Sequence, residues 1–162
     1  MGKSQAFLGA AALLLLAAPA AQAATASGSF NVQVVIQETC IVTSPSSTTL
    51  DFGTQTLLNA NVDAQTNISV QCTTGTDYDI SLDNGLNTSR RMRQGATANY
   101  INYQLYTNST RTTVWPTTAG TAPYTNLGTG AAQTITVYGR IPAQTTPPAG
   151  TYTDTVAITV TY

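Results

Sequence analysis

Apolar residues fall at every second position through much of this chain. Phe30, Val32, Val34 and Ile36 alternate with Asn31, Gln33 and Gln37; Ile68, Val70 and Cys72 alternate with Ser69 and Gln71. Tyr78, Ile80 and Leu82 are interleaved with Asp77, Asp79, Ser81 and Asp83, and Ile101, Tyr103 and Leu105 repeat the pattern. So do Ile135, Val137, Gly139 and Ile141, and the run Val156, Ile158, Val160 and Tyr162. In an extended backbone successive side chains leave on opposite faces, so each run predicts a half-buried strand. The first of them is expected to continue through Cys40, Ile41 and Val42, and Leu50-Asp51-Phe52-Gly53 reads as a short strand closed by glycine.

Punctuation between the runs supports this reading. Ser44-Pro45-Ser46-Ser47, Asp83-Asn84-Gly85 and Pro147-Pro148-Ala149-Gly150 are turn signals, while Thr54 to Gln65 and Thr117 to Ala132 read as polar connections. No window past the first 23 residues has helical periodicity. About seven short strands separated by turns argue for an all-β sandwich of immunoglobulin-like type.

The beginning of the chain is different. Lys3, an apolar stretch from Ala6 to Ala18 and the small-x-small sequence Ala21-Gln22-Ala23 predict a secretory signal peptide over residues 1–23. No later stretch approaches the roughly 18 apolar residues of a membrane span. Export to an oxidising compartment makes the two cysteines, Cys40 and Cys72, an expected disulfide, and the lack of histidine disfavours a thiol nucleophile or a metal pair.

Charge and composition then exclude functions. Past the signal there are five arginines, no lysine and seven acidic residues. This balance provides no basic surface for nucleic acid or anionic lipid. With no histidine, no phosphate-binding glycine loop and no metal-ligand cluster, the chain is not expected to be an enzyme; no catalytic, cofactor or metal residue is assigned. Arg90, Arg91 and Arg93 read as a solvated turn, with the acidic face of Asp77, Asp79 and Asp83 as the alternative partner. Trp115 and the tyrosines read as packing residues before they read as a sugar platform.

The Gly28-x-Phe30-x-Val32-x-Val34 start, Cys40, the Leu50–Gly53 element, the strand ending in Cys72 and the terminal Gly150-Thr151-Tyr152-Thr153-Asp154 segment, in this order, resemble the spore coat protein U domain family. Better understood members of it are similar to archaic, Csu-type chaperone-usher pilins. The likeness covers essentially the whole mature chain. It implies an incomplete immunoglobulin-like β-sandwich that lacks its final strand and carries an N-terminal donor segment. In that family a periplasmic chaperone lends the missing strand, and an outer-membrane usher replaces it with the N-terminal segment of the next subunit.

On that basis residues 24–34 are expected to be the donor, with Gly28, Phe30, Val32 and Val34 as its anchors, and residues 35–162 the sandwich. The final strand, carrying Val156, Ile158, Val160 and Tyr162, is the expected acceptor edge, since nothing follows it. The implied partners are further copies of the chain, the chaperone and the usher. The implied course runs from periplasm to a surface fimbrium serving adhesion and biofilm formation. A self-contained secreted coat or matrix protein and a carbohydrate-binding adhesin are the alternatives.

Overall fold

The structure, a computed structural model, describes residues 22–43, 48–118 and 124–162. The signal-peptide assignment up to residue 21, the turn at Ser44–Ser47 and the middle of the Thr117–Ala132 connection lie outside those residues. The chain divides into two units, Met1–Val35 and Ile36–Tyr162. In the described part of the first there is no helix or strand. Its apolar side chains face solvent, with Phe30 87%, Val32 85% and Val34 79% exposed.

The second unit holds nine strands among its described residues: β1 (Cys40–Val42), β2 (Val62–Cys72), β3 (Asp77–Leu82), β4 (Arg91–Arg93), β5 (Tyr100–Asn102), β6 (Gln104–Tyr106), β7 (Thr125–Leu127), β8 (Ala132–Ile141) and β9 (Ile158–Thr161). They form sheets ordered β1-β2-β8-β6 and β7-β3-β9, with β4 and β5 as a separate pair, and every pairing is antiparallel. The two larger sheets enclose one core. Ile68 and Val70 of β2, Ile135 and Val137 of β8 and Leu105 of β6 meet Tyr78, Ile80 and Leu82 of β3 there.

Central strands β2 and β8 are long because both requirements of a strand are met in them. Their alternate residues reach the core, and their backbones pair in register, Ile68 opposite Ile135 and Thr66 opposite Val137. The outer face is satisfied by polar cross-strand pairs. Asp63 takes a bidentate bond from Arg140 at 2.7 and 2.9 Å, and Thr136 donates to Asn67 at 2.9 Å.

Several expectations need correction. The first strand does not run from Phe30; it is limited to Cys40–Val42, where Cys40 lies opposite Cys72 and the two are disulfide-bonded. Leu50–Gly53 is not a strand but a packed segment: Leu50 and Phe52 lie over Gly139, and a Cβ at Gly139 would meet Leu50 Cδ1 at 2.8 Å. The expected connection to Gln65 is shorter, since β2 begins at Val62. The alternation at Ile101, Tyr103 and Leu105 is split between β5 and β6, which serve different sheets, and part of the expected 117–132 loop is β7.

The arginine cluster is not a solvated turn. Arg91–Arg93 is strand β4, and Arg90 is only 6% exposed. Nor, among the described residues, do these arginines form a salt bridge with Asp77, Asp79 or Asp83. Arg91 donates to the Asn87 carbonyl at 3.0 Å and lies 4.0 Å over the Tyr100 ring; Arg93 donates to the carbonyls of Ala96 and Thr97. Trp115 is 0% exposed, donates its indole N–H to the Ile80 carbonyl at 3.1 Å and stacks on Tyr124, so it offers no surface platform.

Candidate functional site

Strands β1 and β9 are edge strands of their respective sheets among the described residues. Between these edges lies a groove of about 670 Å³. Val42 and the segment Thr48–Phe52 form one wall, and Asp154–Ile158 forms the other. The floor is core: Ile68, Leu82, Leu105 and Val137, with Met92 and Tyr103 contributing. An apolar groove with an unpaired strand edge beside it offers hydrophobic burial and main-chain hydrogen bonds together, which is what an added strand requires.

The second wall is locked in place by two carboxylates. Asp154 accepts hydrogen bonds from the backbone N–H of Leu86 at 3.0 Å and of Thr155 at 2.9 Å, from Asn87 Nδ2 at 3.2 Å and from the Tyr103 hydroxyl at 2.7 Å. Gly85 has φ +74°, and a side chain there would run into the Asp154 carboxylate. This glycine is required both by its left-handed backbone and by the close approach. Asp83 extends the β3–β9 ladder by one rung. Its N–H donates to the Ala157 carbonyl at 3.1 Å, and its carboxylate accepts the Ala157 N–H at 2.9 Å where a strand would offer a carbonyl.

Below the wall, burial pushes the Tyr103 hydroxyl far above the ordinary phenol range, and its bond to Asp154 raises it further. The phenol is therefore a permanent donor to that carboxylate. Burial lowers the Arg90 guanidinium, against the opposing pull of Tyr103 and Asp83. Arg90 spends its donors on the carbonyls of Leu82 at 2.6 Å and of Asp83 and Leu105 at 3.3 Å, and on Gln104 Oε1 at 2.6 Å. It thus joins the end of β3 to β6 underneath the groove.

Of the residues expected from sequence, Ile158 and Val160 lie in β9, half-buried; Val156 precedes the strand and lines the groove, and Tyr162 follows the strand and is exposed. Gly28, Phe30, Val32 and Val34 lie in the first unit. Asp83, Arg90, Tyr103, Gly139 and Asp154 were not assigned to a binding site from the sequence. The available signals were the Gly150-x-Tyr152-x-Asp154 motif and the Asp83-Asn84-Gly85 turn. No group of three His, Cys, Asp or Glu side chains suited to a metal occurs among the described residues, and no helix in them is long and apolar enough to cross a membrane.

Fold and groove together define an immunoglobulin-like β-sandwich with an open apolar seam between two sheet edges. The chain belongs to the Spore Coat Protein U domain family, whose model matches residues 26–159. It is 36% identical to Protein U of Myxococcus xanthus over 169 residues, which cover 94% of this chain and 93% of that relative. Among solved structures it is similar, with a TM-score of 0.54 and 24% identity, to a chain in the chaperone–tip adhesion subunit pre-assembly complex of the archaic chaperone-usher Csu pili of Acinetobacter baumannii. That likeness covers 78% of this chain and 40% of the other, and it speaks for the fold.

Proposed function

We propose that this chain is a structural subunit of a surface fibre, and that its groove takes the N-terminal segment of another copy as an added strand. One observation carries the reading. The same chain presents an apolar groove beside an unpaired edge and, separately, an alternating apolar segment with no strand partner of its own. Side chains two residues apart on a strand recur every ~6.6 Å, so Phe30, Val32 and Val34 would enter the groove in succession, with Gly28 where the backbones approach closely. Burying each contributes roughly 1.5–3 kcal/mol, and each main-chain hydrogen bond about 1 kcal/mol.

In this reading residues 1–23 direct export, residues 24–34 are the donor, and the edge from Val156 to Tyr162 is the acceptor. Before assembly a periplasmic chaperone covers the groove, and an outer-membrane usher then exchanges it for the next subunit's donor. The chaperone is suggested by the Acinetobacter structural neighbour, which was solved in a complex with one. The fibre's use would be adhesion and biofilm formation. The reading needs no enzyme activity and no cofactor.

A peptide copying residues 25–36, added to purified mature protein, is expected to bind, raise the melting temperature and block fibre growth. A protein that is stably monomeric on its own and indifferent to the peptide would instead be a self-contained coat or matrix protein.

A further inference from the structure

A second cavity, of about 280 Å³, also borders Tyr103, and its lining is more polar than that of the groove. Its lining includes Asn84, Ser89, Asn102, Gln104 and Thr117, with Val114 as an apolar patch and Arg90 at its base. Among the described residues, the side chains of Asn84, Ser89, Asn102 and Thr117 have no hydrogen-bond partner.

Gln104 is oriented from below. Its Oε1 accepts from Arg90 Nη1 at 2.6 Å and from the Leu105 N–H at 2.9 Å, which leaves its Nε2 with both hydrogens for a ligand. Amides and hydroxyls that both donate and accept, converging beside one exposed aliphatic side chain, match a ring that carries hydroxyls on its rim and C–H groups on its face. The volume lies just under the usual range of ligand sites, which begins at about 300 Å³, and suits no more than one such ring. Arg90 already serves three carbonyls and Gln104, so it organises the base without offering itself to an anion.

We propose that this pocket binds a single neutral pyranose unit, with Asn84, Ser89, Asn102, Gln104 and Thr117 as the hydrogen-bonding residues. The site is independent of strand addition, since it shares with the groove only Tyr103.

Saturation-transfer difference NMR reads the ligand and works equally on a monomer or a fibre. The probes are methyl glucoside, methyl galactoside, methyl mannoside and N-acetylglucosamine at millimolar concentrations, with glucuronate as the charged comparison. At least one neutral sugar should show transfer, and the exposed double substitution N102A/T117V should weaken it tenfold or more while leaving binding of the 25–36 peptide and the melting temperature unchanged. Absence of transfer from every neutral sugar, transfer from glucuronate alone, or transfer unaffected by the double substitution would each overturn the assignment.

Discussion

Phe30-Asn31-Val32-Gln33-Val34 and Ile135-Thr136-Val137-Tyr138-Gly139 have the same alternation of apolar and polar residues, and their fates are opposite. The second is the middle of β8, flanked by β2 and β6, with Ile135 and Val137 in the core. The first has no strand structure, and its apolar side chains are exposed. Alternation specifies that a segment can form one side of a sheet. Whether it does depends on a partner for its backbone and a layer for its apolar face, and both must come from elsewhere.

The sharpest way to break this comparison is to truncate a residue in each stretch. Ile135→Ala should cost about 2–5 kcal/mol in denaturant unfolding of the monomer, because it leaves a cavity between sheets. Val32→Ala should change it by less than about 0.5 kcal/mol, as for other surface substitutions. In fibre growth the order reverses: Phe30→Asp or Val32→Asp should abolish polymerisation while leaving monomer unfolding unchanged. Equal destabilisation of the monomer by both truncations would place Val32 in its own core.

Cys40 is where the exposed stretch gives way to the packed one. The C40S/C72S double variant should lose about 3–4 kcal/mol, the chain-entropy estimate for a loop of this length. The loss is measured against the oxidised wild type. Smaller in effect, Gly139→Ala drives a Cβ into Leu50 and Phe52 and should cost about 1–3 kcal/mol. Since both side chains line the groove, the variant should also bind the 25–36 peptide less tightly, which calorimetry would measure.

The smallest effect is on the outer face of the paired strands. Hydrogen bonding from Arg140 holds the Asp63 carboxyl below its ordinary value against desolvation, with smaller help from the charges of Arg111 and Arg140. A depressed carboxyl contributes stability that is present above its unfolded value and lost as pH falls through the folded one. Melting temperature should therefore decline in the acid range below the ordinary carboxylate value. Asp63→Asn should be less stable at neutral pH and should show a flatter decline.

Much of the fold was legible in single residues. Tyr78, Ile80, Leu82, Ile135, Val137 and Ile141 were assigned inward by alternation and are core. The groove was legible only in part. Ile158 and Val160 were marked as an edge, but the other wall, built by Leu50 and Phe52, was read as a strand rather than as a segment seated on Gly139. Asp154 stood inside a noticed motif, yet its four donors come from Leu86, Asn87, Tyr103 and Thr155, three of them distant in sequence.

By itself the sequence determined the all-β class, the inward faces and the cysteine pair, because alternation and cysteine count are local or nearly compositional properties. Tertiary structure decided the rest. It made the first strand begin only at Cys40, since β2 provides a partner for β1 at Cys40–Val42 and Phe30 has none among the described residues. It buried Arg90, since carbonyls from the end of β3 and from β6 converge there to accept the guanidinium's protons. Backbone pairing and the solvation of a buried cation are both non-local, and no spacing along the chain encodes which distant groups will arrive.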